Sequence, residues 1–577
     1  MTTALKKLKE RLNFGIDLGN SNVSVAYRLV SGDTFVRSEL IALDPSQLGA
    51  YKCVLPAAVF FASDERPPVV GGRAKTVSSS EGILFTNFKE ELLSESDVIP
   101  RVDRNLTKSS EDALTEIFRY LLSQVVNSDD LIGKTTLGAD GQRVLETDYS
   151  VTVGVPTKTS EKYRDRLTRA IIASGWFDSM EAAQGGAPKR LQFLPEPVAV
   201  ILNIGHPGNK RYLVYDHGGA TLDIAEVTTH DTGIHDFSVT QKERPTLSWQ
   251  GTENTNIGGT FLDRLLLGAA VADRAAVAAL LPHIAEAYGL ECDASPLENL
   301  IRRAEPVQGK PPIEGEEALG GGTPEIDAYR YLCADIEKVR IRFSGRTNSE
   351  ILVLGEDQET DILISRLLLE KTFKPVSEAI KQYLVTSLAE GVREKGSAEE
   401  VLCLLAGGVS LTPFFLKAIE EAKYPVHRFS SEVSPFTAIA TGLAQYYRGG
   451  VETIGGQGSD VTDTEYGIWI ERDQKWEIIV PEKTPYNETK FPPVGKGISK
   501  RFKPYPPTDE ITLRVGQCIK GQWENLGSRD VTLPSYTNAF RVYFSIDPEQ
   551  GRLELRLEDS QSKRLITMNN PFFSSSQ

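Results

Sequence analysis

The stretch "FGIDLGNSNVSVAY" at 14–27 has an echo, "YLVYDHGGATLDIAEV", at 212–227. Each is an apolar strand ending in an aspartate, then a turn of glycine and small residues, then a second apolar strand. Asp17 and Asp216 stand 199 residues apart. One such hairpin is ordinary, because Asn and Gly supply the backbone conformations that tight turns need. Two of them, each opening a region where strands alternate with helical patterns, point to an internal duplication with two facing halves. Small-residue turns expose successive backbone N–H groups, which form a concavity for anions. A carboxylate at the strand end faces phosphate favourably only with a cation such as Mg²⁺ between them, usually through bound water.

Bulk properties narrow the class. A chain of 577 residues is too long for one core, and length alone implies three or four compact units. The net charge of −15 argues against a general nucleic-acid or anionic-membrane surface. The five cysteines (Cys53, Cys292, Cys333, Cys403, Cys518) are scattered, with no CxxC pair, which argues against zinc or a disulfide framework. The N-terminal stretch lacks the apolar core of a secretory signal, and no apolar run reaches membrane-spanning length. The expected location is cytoplasmic.

Three stretches read as linkers or insertions: 128–148, the Pro/Gly/Glu-rich 305–325, and the Gly-rich 449–460. Before the last, helical patterns such as 161–174 and 369–394 alternate with strands. After it, helical periodicity vanishes. Phe540, Val542, Phe544 and Ile546 alternate on one face, as do Leu553, Leu555 and Leu557, so 463 to about 568 reads as an antiparallel all-β unit. Two further elements sit in the α/β part. "VLCLLAGGVSLTPFFLKAIEE" (401–421) is a strand, Gly407–Gly408 and a helix. "LPEPVAVILNIG" (194–205) places Glu196 between prolines at a helix start, where its charge suits the helix dipole.

These stretches, in this order, resemble the actin-like ATPase superfamily, and most closely its DnaK-type 70-kDa heat-shock chaperones. The resemblance rests on "GIDLG" with Asn22, "VGVPTKTSEKYRDRL" (153–167), "PEPVAV", "DHGGATLD" (216–223), "GGTFLD" (258–263), "DIEKVRIRFS" (335–344) and "AGGVSLTP" (406–413). "VGGRAK" (70–75) and "FTNFKEEL" (85–92) fit the early first half. "DVTDTEYGIWIE" (460–471) and "FSIDPEQGRLELRLED" (544–559) look like the family's peptide-binding β-sandwich. The implied fold is α/β, a two-lobed actin-like ATPase domain of duplicated ribonuclease-H-like lobes, followed by a small all-β sandwich. The implied boundaries are a tail at 1–12, a nucleotide-binding domain at 13–448, a linker at 449–462, and a sandwich without a helical lid at 463–577.

The resemblance implies ATP/ADP and Mg²⁺ as ligands, with a monovalent cation such as K⁺. Asn20, Ser21 and Asn22 would hold the β- and γ-phosphates, Gly258 and Gly259 would let backbone reach the phosphates from the second lobe, and Gly19, Gly218, Gly219, Gly407 and Gly408 would also bind the nucleotide. Asp17, Glu196 and Asp216 would order the waters of Mg²⁺ and the attacking water. Lys89 would stabilise charge on the transferred phosphoryl group. Thr221 and Asp223 would lie beside the γ-phosphate, with Asp223 at the monovalent cation. Pro156 and Arg164 match a nucleotide-state relay. Glu337, Arg340 and Ser344 fit an adenosine pocket. Ile341, Val409, Leu411 and Phe436 replace polar residues of the family there, so weak base discrimination is expected. His217, beside Asp216, is either a titrating group or a packed one.

The implied function is a slow, Mg²⁺-dependent ATPase chaperone that binds unfolded or extended polypeptide clients, with co-chaperones among its partners. The alternative is a nucleotide-gated scaffold with little turnover. A small-molecule kinase of the same superfamily is a third reading, which the β tail opposes. The linker has only Val451 and Ile454 as apolar residues, so weak coupling between nucleotide and peptide is expected. Trp469 and Trp476 flank a turn in the sandwich, with at least one expected in its core.

Overall fold

The computed structural model of the chain describes most of residues 11–446 and 465–568. Stretches outside the described residues include 31–37, 230–236, 271–323, 344–348, 353–361, 387–400, 447–464 and 485–497. The expectations for the linker 449–460, for most of 305–325 and for Ser344 fall there.

The described chain is mixed α/β. Its first large sheet has the spatial order Leu191–Pro195, Asp148–Val155, Arg11–Leu18, Asn22–Val30, Glu39–Leu40. The second runs Val426–His427, Leu402–Ala406, Lys210–His217, Leu222–Thr229, Phe237–Gln241. The two orders are the same. In each sheet the first strand in sequence is central, antiparallel to the next strand and parallel to a later one. Phe14, Ile16, Val23, Val25, Leu213 and Ile224 are fully buried, as central strands covered on both faces require.

Two of the longer helices start at serine caps. Ser160 opens Glu161–Ala173, accepting from the Tyr163 amide at 3.1 Å, and Ser365 opens Arg366–Val385, accepting from the Leu368 amide at 3.1 Å. The helix Ala438–Gln445 joins the two halves. It packs on the strand Arg11–Leu18 and on the helix Glu196–Leu202, and Leu443 and Ile439 share an apolar cluster with Val198, Val214 and Leu404. Asn13, buried in the first strand, donates from Nδ2 to the carbonyls of Ala444 and Tyr446, both at 2.7 Å. It thereby satisfies helix-end carbonyls that have no partner within the helix.

One expected linker is folded. Within 128–148, Asp129–Lys134 forms a short 3₁₀ segment, and Thr135–Leu137 pairs with Arg143–Leu145 as a hairpin. Gly141, at φ 78°, takes the left-handed conformation its turn needs. The Gly and charge content of that stretch encodes a surface hairpin, not a spacer.

Among the described residues the C-terminal region forms two four-stranded sheets. Tyr466, Ile468, Leu513 and Val515 from one meet Phe540, Val542, Phe544, Leu555 and Leu557 from the other in a single core. The period-two reading of 540–557 therefore holds where side chains are described. Trp469 and Trp476 are not in that core. They pair across the strands at 5.4 Å between ring centroids, and Trp476 stacks on Trp523 at 5.1 Å. Ile468 and Ile470 alternate with Trp469 and face inward, so the indoles stand on the outer face of their sheet. The expectation of a core tryptophan fails because the register puts both on the other face.

Among the described residues no helix is long and apolar enough to cross a membrane. Cys53 and Cys403 are buried free thiols, and Cys292 lies outside the described residues.

Candidate functional site

The two hairpins are built alike. In the first, Asp17 pairs with Ser24 and the turn closes by the Gly19 amide donating to the Asn22 carbonyl at 2.9 Å. In the second, Asp216 pairs with Asp223 and the Gly218 amide donates to the Thr221 carbonyl at 3.0 Å. The turns face each other closely. A Cβ on Gly219 would stand 1.8 Å from Ser21 Oγ, so only glycine allows this approach.

A cavity of about 890 Å³ opens around them. Its wall includes Asp17, Gly19, Asn20, Ser21, Asn22, Lys89, Pro156, Thr157, Glu196, Asp216, Gly218, Gly219, Thr221, Asp223, Arg244, Gly407, Gly408 and Phe436. Lys89 begins the short helix Lys89–Leu93, and Glu196 begins Glu196–Leu202. Lys89 Nζ donates to Glu196 Oε1 at 2.8 Å, both side chains being nearly buried.

Three carboxylates thus converge near one ammonium. Burial, and then the charge of Glu196, push the Asp17 carboxyl up to about 7. Burial raises Asp216 well above the ordinary range, with Glu196 and Asp223 adding to it. Burial alone would lower the Lys89 ammonium, but the charge of Glu196 and then of Tyr163 outweigh it and hold the group above its usual value. Unopposed, this charge repels an anion; with a divalent cation it becomes a site for one. Among the described residues no three Asp, Glu, His or Cys side chains are placed to ligate a metal directly. The donor set therefore suits a hydrated cation, held through water and by phosphate oxygens. Two unsatisfied polar atoms also mark a ligand site. Asn20 Oδ1 and Thr157 Oγ1 are buried without a hydrogen-bond partner among the described residues. Both belong to the cavity wall, and Thr157 is only 5% exposed.

The raised carboxylates carry a stability prediction. Their folded-state proton affinity exceeds that of the unfolded chain, where Asp titrates near 4. Stability gained from holding those protons is lost as pH rises through the folded value, about 7 for Asp17. The ligand-free protein should therefore melt several degrees higher at pH 6 than at pH 8, and Asp17→Asn should shrink that gap. Equal melting temperatures at the two pH values, read by scanning calorimetry, would show that Asp17 is not desolvated.

Other expected residues are placed differently. The amides of Gly258 and Gly259 donate to the carbonyls of Ala220 and Gly218 at 3.1 and 3.0 Å, and the Thr260 amide to that of Gly219 at 2.7 Å. These glycines bind the second turn rather than a phosphate, and a Cβ on Gly258 would meet Ala220 C at 2.2 Å. Asp223 accepts from Thr221 Oγ1 at 2.6 Å and from Arg244 Nε at 2.9 Å. The guanidinium takes the place expected for a monovalent cation. Arg340 is buried and donates twice to Asp263, at 2.5 and 3.1 Å, while Glu337 pairs with Lys75 at 3.3 Å. Neither is part of the cavity wall, so the expected adenosine contacts are spent on internal ion pairs. His217 is fully buried between the Tyr215 hydroxyl and the Ile257 carbonyl, and burial lowers it to about 4. It is a packed neutral imidazole. Pro156 is in the cavity wall, whereas Arg164 sits one helical turn along, 3.7 Å from Glu161.

Arg244 was not legible from the sequence. Arg244 lies in a short charged run after a strand, and nothing local distinguishes it from a solvated residue.

Set against models of known protein families, the chain matches none.

Proposed function

We propose that this chain is a Mg²⁺-dependent nucleoside triphosphatase of the two-lobed, actin-like architecture, of the heat-shock chaperone type and acting in the cytoplasm, whose C-terminal sheets bind extended polypeptide. The observation that carries this reading is the pair of matched hairpins, Asp17–Asn22 and Asp216–Thr221, facing each other across a cavity that also contains the Lys89–Glu196 pair. The unpartnered Asn20 Oδ1 and Thr157 Oγ1 fit a ligand that supplies polar atoms to both.

Mg²⁺, when bound, would neutralise phosphate charge among the carboxylates. The small-residue turns, with Asn20, Ser21 and Gly219, would cradle phosphate oxygens, and Asp17 and Glu196 would order water around the cation. Asp216, whose burial raises its proton affinity, takes the proton that the attacking water loses. Lys89 Nζ turns from Glu196 to the γ-phosphoryl oxygens as the bond to the leaving diphosphate breaks. Water and nucleoside triphosphate become diphosphate and inorganic phosphate.

A second reading, a nucleotide-gated scaffold with little turnover, has its own support. The contact of Ser21 with Gly219 leaves little room between the turns, so a ligand must first separate them. Single-turnover hydrolysis of Mg·ATP, with and without unfolded polypeptide, tests both. Slow phosphate release that polypeptide accelerates supports the chaperone reading. Tight Mg·ATP binding without release supports the scaffold. No Mg·ATP binding by calorimetry overturns both.

A further inference from the structure

We propose that the cavity reads the triphosphate and leaves the base unread, so that it accepts nucleoside triphosphates of any base by stacking on Phe436. This rests on the nucleotide reading above. The placement comes from Gly407 and Gly408. A Cβ on Gly407 would stand 2.7 Å from Asp216 Oδ1, and one on Gly408 would stand 2.1 Å from the Phe436 ring. The aromatic ring therefore lies one residue beyond the group that abuts the second carboxylate. It belongs to the same cavity wall as both hairpin turns.

Tyr51 approaches Phe436 edge-on from the other half of the molecule, with ring centroids 5.6 Å apart and planes at 69°. Tyr51 precedes the strand Val54–Pro56, which pairs with the start of the strand following the first turn. The two rings thus bridge elements next to the two hairpins. Tyr51 is 41% exposed, so a base face can take the place of its edge, exchanging one aromatic contact for another.

Among the described residues, Gly408 beneath the ring offers no side chain, and Val54 and Ile439 in the same cavity wall carry no side-chain donor or acceptor. Arg340 and Glu337, which could have supplied such groups, are locked by Asp263 and Lys75. Strong discrimination between ligands needs buried polar groups that the wrong ligand leaves unpaired. Stacking tolerates every base, since every base has a π-face.

The test is calorimetric titration of the full chain, with Mg²⁺, against ATP, GTP, UTP and tripolyphosphate. The three nucleotides are expected to bind within about tenfold of one another, and tripolyphosphate more weakly but measurably. Phe436→Ala should weaken the three nucleotides by about tenfold more than it weakens tripolyphosphate. Tyr51→Ala, at an exposed ring, serves as the second variant and should alter nucleotide affinity without altering that for tripolyphosphate. A preference for ATP of about a hundredfold or more over GTP and UTP would overturn the proposal while leaving the nucleotide reading intact. So would equal weakening of all four ligands by Phe436→Ala, which would make the ring structural. Failure of all four to bind would overturn the nucleotide reading and this inference together.

Discussion

Lys89→Ala is expected to slow turnover of Mg·ATP by about a hundredfold or more while leaving nucleotide affinity within a few-fold of the parent. The reason lies in when the ammonium acts. In the resting structure it is engaged with Glu196 at 2.8 Å, so bound ground-state phosphate gains little from it. As charge shifts on the transferred group, the same ammonium interacts more strongly with it, and that difference is what accelerates the step. The substitution also removes an ammonium that pairs with Glu196 and whose charge acts on Asp17 and Asp216. A buried carboxylate deprived of its partner is costly, so the variant should be less stable than the parent at pH 8 and recover part of that loss at pH 6. Lys89→Arg separates the two effects: it keeps the charge and the stability but moves the donor. Single-turnover rates and melting curves for both variants decide. Parental turnover in Lys89→Ala would remove Lys89 from the site's chemistry.

Gly442→Ala should destabilise the protein by about 3 kcal/mol or more, and Gly442→Val should prevent stable folding. The helix carrying Gly442 touches the helix Glu196–Leu202 so closely that a Cβ would stand 1.7 Å from the Ala199 carbonyl oxygen and 2.5 Å from its carbon. Both atoms are backbone, so no rotamer change relieves the contact and one helix must move. On its other side the same helix rests on Gly15, where a Cβ would stand 2.3 Å from the Ala440 oxygen and from the Ala444 nitrogen. Any shift is therefore transmitted to the strand that ends in Asp17 and to the helix that begins with Glu196. The prediction has two readouts, a lower melting temperature and weaker Mg·ATP binding. Gly133→Ala, where a Cβ would meet nothing within 4 Å, is the control and should be neutral. A Gly442→Ala protein melting within a degree of the parent would show that the helices do not approach this closely.

What could be read from the chain was whatever a few consecutive residues decide. A strand that ends in Asp and runs into Gly and small residues has few backbone options, so both hairpins and their carboxylates were visible. Alternation from Phe540 to Leu557 fixes a sheet face because side chains on a strand point to opposite sides by turns. The helical pattern at 161–174 was visible in its apolar spacing, and the structure forms a helix over Glu161–Ala173. Glu196 and Lys89 were found only because their flanking residues resembled a known pattern; neither carries a local signal of pairing with the other, 107 residues away.

The tertiary structure decided the partners. Arg340 and Asp263 are 77 residues apart in sequence and share two hydrogen bonds, which removes an expected ligand contact. Arg244 reaches Asp223 and supplies a positive charge within the protein. Gly258 and Gly259 turn their amides to a neighbouring turn, and Phe436 covers Gly408 beside Tyr51. The indoles of Trp469 and Trp476 face outward because strand register, not hydrophobicity, chose their side. Local sequence limits the conformations a backbone adopts over a few residues. Which charge neutralises which, and which ring covers which glycine, depends on distances between segments far apart in the chain, and those exist only once the sheets and helices have packed.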